Sequence, residues 1–340
     1  MYYIGCDLHK EQTWFYVVDQ AGKKVLSRSI SNKPETLDEF FKTLPLPFEL
    51  AVESTYNWYF FVDIAEQYAQ QVYLANSYEL KAFAKRHQKT DKIDARLIAD
   101  VLRKGYLPTV TIPDKNTRNV KELLRYRMNI VKDRSRNIFR LKSLLDKLGE
   151  DSNGNFTTYK RLESIPLVHF EENYKEIIPG YIQRICFLHK MLHESDKIIT
   201  KTALKDTNIL NLRTIPGLDY FSASLIKSEI IDINRFASFS RLCAYAGLAP
   251  RVSQSADKTF YGPLNINRRK NLQWILLEVV FHFIKAIPEK KNLYKILSKK
   301  KGSNTAKVIL ARSLLKIIYH VLKEKRSFIN KLNETFQNAA

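Results

Sequence analysis

Along the first hundred residues the apolar positions come in short blocks or strict alternation. YYIGCDL (2–8), TWFYVVD (13–19) and VLSRSI (25–30) are rich in β-branched and aromatic residues, and the last two are separated by the turn sequence QAGKK. Such blocks predict three strands. SNKPETLDEFFKTL (31–44) then carries helical spacing, with Pro34 near its start, and the apolar run FELAVE (48–53) predicts a fourth strand. NWYFFVDIAEQYAQ (57–70) returns to a helical period, QVYLAN (71–76) reads as a strand, and a helix is predicted from about Tyr78 to Leu102. Three strands, helix, strand, helix, strand, helix is an α/β layout with a mixed sheet, in one compact domain of roughly a hundred residues.

The pattern changes at Thr117. Val120, Leu124, Met128, Val131, Ile138, Leu141, Leu145 and Leu148 recur at steps of three, four and seven, which predicts a long amphipathic helix, half of a coiled coil. After an irregular stretch at 149–178, YIQRICFLHKMLHESDKIITKTA (181–203) is expected to return antiparallel. Arg125, Arg127, Arg134, Arg136 and Arg140 lie on the first of these helices, as a solvated face or as a face that follows phosphates. The remainder is all helical. In TIPGLDYFSASLIKSEI (214–230), a tight turn at Pro216-Gly217 leads into an apolar helix, the arrangement of a helix-hairpin-helix. A glycine turn at a helix start presents backbone N–H groups to a phosphate, while a purely structural hairpin accounts for the same residues. NTAKVILARSLLKIIYHVLKEK (304–325) predicts a basic amphipathic helix that packs. The resulting division is 1–110, 111–205 and 206–340.

Charge adds a partner. With 56 Lys and Arg against 35 Asp and Glu, the 340-residue chain has a formal net charge of +21, an excess that attracts polyanions, DNA or RNA first among them. Cys6, Cys186 and Cys243 are widely spaced, odd in number and without zinc-type spacing, so a reducing compartment is expected. The first residues, MYYIGCDLHK, have no signal-peptide pattern, and WILLEVVFHFIKAI (274–287) is too short and too charged to span a bilayer. The expectation is a cytoplasmic protein with no membrane partner.

Against this basic background, KTDKIDARLIADVL (89–102) places Asp91 and Asp94 three residues apart, on one face of a helix. Acids at a helix start favour the helix dipole, and that alone explains the pair. Asp7 on the first strand and Glu53 just past the fourth add to it. Acids carried on strands pack poorly unless they are paired or hold a cation. If the first and fourth strands are neighbours, Asp7 and Glu53 lie side by side, and the helix can bring Asp91 and Asp94 to them. Oxygen ligands of this kind suit magnesium or manganese, ions that serve in-line attack at phosphorus.

The order Asp, Glu, Asp-x-x-Asp resembles the RuvC-type resolvases of RNase H-like fold. More narrowly, YIGCDLHK, VESTYNWY, KTDKIDARLIADVL, the basic helical segment, TIPGLDYFSASLI and YAGLAPRVSQSADK together resemble the DEDD insertion-sequence transposases of the IS110 group, related to Piv-type DNA invertases. The resemblance implies an RNase H-like (RuvC-like) domain holding magnesium or manganese on Asp7, Glu53, Asp91 and Asp94, followed by a coiled-coil segment and a helical transposase domain. It also implies a serine that attacks the DNA phosphate and forms a phosphoserine. AGLAPRVSQSADK places Ser255 there, after Gln254, with Ser253 as the alternative, and Ala256 stands where the family has glycine. Arg251 and Lys258 flank the serine, to stabilise phosphoryl charge or to bind backbone. Gly262 keeps a family glycine, but Arg268 and Arg269 replace a Gly-Asn pair. The family further implies homo-oligomers, dimers or tetramers, and a structured, element-encoded RNA that pairs with DNA. Two other readings remain: a RuvC-like nuclease using water, and a non-catalytic nucleic-acid binder. His9 is expected to lie outside the site, past the end of its strand. Trp14, Tyr16, Tyr56, Trp58 and Tyr59 are expected to pack.

Overall fold

A computed structural model describes residues 1–83, 90–166, 170–255, 258–265 and 268–328. The chain divides into two compact units, residues 1–113 and 114–340.

The first unit is built on β1 (Tyr2–Leu8), β2 (Gln12–Val18), β3 (Lys24–Ser31), α1 (Pro34–Lys42), β4 (Phe48–Glu53), α2 (Trp58–Ala65), β5 (Gln71–Ala75), α3 (Ser77–Leu80), α4 (Asp91–Arg103) and β6 (Thr109–Val110). Its sheet is mixed, in the order β3-β2-β1-β4-β5-β6. The β1–β2, β2–β3 and β5–β6 pairs are antiparallel, and β1–β4 and β4–β5 are parallel. Because side chains alternate along a strand, β1 serves two layers. Ile4, Cys6 and Leu8 enter the core shared with Leu37, Phe40 and Phe41 of α1 and Phe61, Val62 and Ala65 of α2. Tyr3, Gly5 and Asp7 face the other side, where Ala95, Ile98, Ala99 and Leu102 of α4 pack.

Gly5 sets the spacing of that layer. A Cβ at Gly5 would collide with the Ala95 carbonyl and the Ala99 amide nitrogen, so the glycine lets the α4 backbone lie directly on β1. The short side chains of Ala51, Ala75, Ala95 and Ala99, all fully buried, complete the close fit.

The continuous helix expected from Tyr78 to Leu102 is not formed. Residues 81–83 make a turn after α3, and Thr90 is extended (φ −143°, ψ 150°), its hydroxyl accepting from the Ile93 amide as the N-cap of α4. Asp91 is therefore the first helical residue rather than the cap. The two-residue β6 was not anticipated, and neither was a second, small sheet in the other unit.

That second unit holds α5 (Lys115–Lys147), α6 (Tyr159–Glu163), α7 (Glu172–Ala203), α8 (Thr207–Arg213), α9 (Tyr220–Ile230), a 3-10 turn (Ile233–Arg235), α10 (Phe239–Tyr245), the antiparallel hairpin β7 (Pro250–Ser255) and β8 (Lys258–Leu264), α11 (Lys270–Ala286), α12 (Pro288–Lys301) and α13 (Ser303–Glu324). Helices α5 and α7 run antiparallel: Leu124 shares a core with Ile199 and Ala203, Arg127 meets Asp196, and Ile138, Leu141 and Leu145 pack with Ile178 and Ile185. α7 begins nine residues before Tyr181 and runs through Pro179, and α6 occupies part of the stretch expected to be irregular. α13 buries Ala306, Leu310, Ala311, Leu314, Leu315 and Ile318, so the basic amphipathic helix packs as expected.

Candidate functional site

Asp7 stands in register with Trp14 of β2. The parallel ladder of β1 and β4 is paired through Cys6 and Val52, so Asp7 and Glu53 occupy the next step of adjacent strands, on the face that carries α4. Glu53 itself is aligned with Ala75 of β5. Helix α4 crosses this face with Asp91 and Asp94 in its first turn. Sheet and helix thus bring together a carboxylate from β1 and two from α4, whereas the Glu53 carboxylate does not join the tight group of ligating atoms.

The tight group is Asp7, His9 and Asp91, whose donor atoms lie within 4.8 Å of one another. His9 Nε2 is 3.1 Å from Asp7 Oδ2 and 3.3 Å from Asp91 Oδ1. This corrects the expectation that His9 lies outside the site. Its backbone is held in place: the N–H donates to the Gln12 carbonyl, and the carbonyl accepts from Asn32 Nδ2 and Asn57 Nδ2, both at 2.8 Å. Asn32 in turn accepts from the buried Thr13 hydroxyl. Spacing offered one signal for His9, since residues two apart on a strand share a face. The anchoring asparagines, however, come from 23 and 48 residues away.

The electrostatics are unusual for so basic a chain. Asp7 is 6% exposed. Burial pushes its carboxyl up to about 6; His9 opposes the rise, and the charges of Asp91 and Asp94 add to it. For His9, burial acts downward, but the Asp7 and Asp91 carboxylates outweigh it and hold the imidazole above its ordinary value. Among the described residues, no Lys or Arg forms an ion pair with Asp7 or Asp91; His9 is their ionic partner. A buried carboxylate beside a half-exposed one and an imidazole nitrogen is a donor set suited to a divalent cation. An open groove of about 680 Å³ adjoins the group, bordered by His9, Lys10, Gln12, Ser29, Ser31 and Asp91.

In the second unit, Ser255 is the last residue of β7, paired in register with Lys258, the first of β8. It therefore ends a hairpin strand, in a part of the chain expected to be all helical; Ala256 falls outside the described residues. Ser253 is in the same strand, paired with Phe260, and Arg251 is exposed on it. On α5, Arg125 pairs with Glu122 and Arg136 with Asp133, at the exposed surface. Arg127 turns inward, with Nε 3.0 Å from Asp196 and the guanidinium 4.1 Å from the Phe221 ring centroid. Burial and the nearby Arg127 charge lower the Arg134 guanidinium from its ordinary value. Gly217, at φ +91°, lies in the α8–α9 turn, where a Cβ would come within 2.7 Å of the Phe283 amide nitrogen. Close packing on α11 requires a glycine there independently of any ligand.

Two transposase family models match in chain order. A DEDD model of the IS110 type covers residues 4–149, and one described as the transposase IS116/IS110/IS902 family covers residues 210–295, together more than half of the chain. The chain belongs to the IS110 family of insertion-sequence transposases. Similar proteins include the transposase for insertion sequence element IS1328 of Yersinia enterocolitica, 25% identical with 81% of each chain covered. The transposase for IS1111A of Coxiella burnetii (strain RSA 493 / Nine Mile phase I) is also 25% identical, over 75% of this chain and 72% of its own length. A protein of insertion element IS116 from Streptomyces clavuligerus is 22% identical over 71% and 72%. The first IS110-family model spans Asp7, Glu53, Asp91 and Asp94; the second spans Ser255. Among the described residues, no helix of this IS110-family chain is long and apolar enough to cross a membrane, and its three cysteines are free.

Proposed function

We propose that the chain is the transposase of a mobile element, a DNA recombinase that cuts and rejoins strands with a carboxylate-held divalent cation and a serine nucleophile. Membership of a transposase family makes it a DNA-binding, DNA-cutting enzyme. The observation that carries the reading is the meeting of the buried Asp7 of β1 with the half-exposed Asp91 of α4, where His9 is the ionic partner of both among the described residues. Unit 1 is read as an RNase H-like (RuvC-like) fold, on the support of its strand order and mixed directions.

Asp7, Asp91, Asp94 and Glu53 would hold magnesium or manganese, Glu53 from the neighbouring strand. When bound, such a cation supplies positive charge to a phosphoryl oxygen and lowers the pKa of an attacking hydroxyl. The buried Asp7 would fix the position of that charge. Ser255 is the proposed nucleophile. Its Oγ forms a bond to phosphorus as the bond to one deoxyribose oxygen breaks, and the departing oxygen takes up a proton while the serine gives one up. A DNA hydroxyl then attacks the phosphoserine, restoring the serine and joining a new strand.

Arg251 and Lys258, on the same hairpin, would sit against the phosphate. The exposed Arg125 and Arg136 are proposed phosphate contacts, with Gly217 offering backbone N–H groups; Arg127 and Arg134 contribute more to helix packing. The parts 1–110, 111–205 and 206–340 would act as metal domain, coiled-coil element and serine-bearing domain with a helix-hairpin-helix, in a homo-oligomer of two or four chains. The charge of +21 suits a structured guide RNA as well as DNA.

Incubating the protein with magnesium, DNA spanning the element's ends and RNA transcribed from its flanks should give a denaturant-resistant protein–DNA adduct. The adduct should vanish in Ser255→Ala and survive in Ser253→Ala. Hydrolysis by water is the second reading, favoured by the fact that the carboxylate group is assembled wholly from residues 7–94; cleavage without an adduct in either variant would select it.

A further inference from the structure

The His9 imidazole is left over by a purely carboxylate site. It is neither buried for packing nor loose: half of the side chain is exposed, yet its backbone is fixed by amides from Asn32 and Asn57. Nε2 points between Asp7 and Asp91, 3.1 Å and 3.3 Å from one oxygen of each. Around an octahedral divalent ion with bonds of about 2.1 Å, adjacent donor atoms lie roughly 3 Å apart. The two measured separations are edges of that size. A histidine serving only as a counter-charge would satisfy the same two distances, so the distinguishing property is chemical. Imidazole nitrogen is a borderline donor that suits manganese and the later first-row cations, whereas magnesium favours oxygen.

We propose that His9 is a nitrogen ligand of the cation site, making it a mixed imidazole–carboxylate centre that takes manganese(II) in preference to magnesium. This rests on the reading of Asp7 and Asp91 as cation ligands. The anchored loop 9–12 gives the preference a structural basis. The His9 carbonyl is tied to the ends of two other elements, so the ring is delivered to the group before any ion arrives, and little ordering is lost on binding. His9 lies two residues beyond Asp7, so one strand end would supply both an oxygen and a nitrogen donor, with Asp91 closing the set from α4.

Electron paramagnetic resonance on the full chain with manganese(II) alone tests this without reference to activity. Titration gives affinity and stoichiometry, and electron spin-echo modulation reports directly bonded nitrogen. The proposal requires nitrogen modulation in the wild type, a change of modulation frequency when histidine is labelled with nitrogen-15, and loss of the modulation in His9→Ala. Manganese affinity should fall at least about tenfold in His9→Ala, while magnesium affinity, read by competition, falls by less than about threefold. Bound manganese without nitrogen modulation, or an equal loss of both affinities in His9→Ala, overturns the nitrogen ligand but leaves the carboxylate site standing. If Asp7→Asn and Asp91→Asn bind manganese as tightly as the wild type, the ion is elsewhere and both readings fall. The labelled wild type needs no substitution, so the result does not depend on how a variant folds.

Discussion

In residues 114–340, Lys121 of α5 and Glu229 of α9 are both buried, with side-chain exposures of 7% and 6% and Nζ 3.4 Å from Oε2. Asn271 donates to the other carboxylate oxygen at 3.3 Å, and the Tyr245 hydroxyl donates to the Glu229 carbonyl while accepting from Arg269. Opposite charges meet there, and the chain satisfies them itself. In residues 1–113, like charges meet: Asp7 and Asp91 share one histidine, and the charge of Asp94 is felt at Asp7. A buried charge matched by its neighbours is a feature of packing, whereas a buried carboxylate beside a second one carries a cost that a bound cation would offset. The chain had 56 basic residues available, and among the described residues none pairs with Asp7 or Asp91.

This contrast can be broken in order of effect. Asp7→Asn should cut strand cleavage by more than about 10⁴-fold, over roughly 5 kcal/mol of barrier, because it removes the buried charge that fixes the cation. In metal-free protein the same change should leave the melting temperature unchanged or raise it, since a desolvated, repelled carboxylate has gone. The reverse holds in the other unit. Lys121→Ala should lower unfolding free energy by about 3–5 kcal/mol by stranding Glu229, and replacing both by Met and Leu should recover most of it, as denaturant melts would show.

Metal should sharpen the difference. At a hundred times its dissociation constant, a divalent cation should stabilise the unit containing Asp7 by about 2.7 kcal/mol, and chelation should reverse this in the wild type but change nothing in Asp7→Asn. Smaller still is Gly5→Ala. Its Cβ must push α4 off β1, at a cost of about 1–3 kcal/mol for overpacking. Manganese affinity should fall with it, although residue 5 touches no ligand, because Asp91 rides on the displaced helix.

The sheet was legible because its strands are local patterns: the runs at 2–8, 48–53 and 71–76 coincide with β1, β4 and β5 to within a residue. The stripe from Val120 to Leu148 likewise predicted α5. What was missed depends on distant partners or on a misleading breaker. Thr109–Val110 is a strand only because β5 is there to pair with it. The β7–β8 hairpin has little alternation in PRVSQS, and its strands are defined by each other. The helix expected from Tyr181 begins earlier: Pro179 lacks a backbone donor and disfavours a helix interior, yet α7 continues through it with Ile178 fully buried. In the site, Asp91 and Asp94 were noted from their spacing and Asp7 from its place on a strand, and β1 lying under α4 brings Asp7 to Asp91. His9 was set aside because alternation ends at Leu8, and what turns it inward is supplied by Asn32 and Asn57. Gly5 lies in a run that predicts only a strand; its role is visible only with Ala95 and Ala99 above it.

The central claim, that these carboxylates do the cutting rather than the binding, is tested most directly by Asp91→Asn. DNA binding and magnesium- or manganese-dependent cleavage should be measured side by side with the wild type. The account predicts binding retained and cleavage abolished; cleavage at the wild-type rate by Asp91→Asn would contradict it.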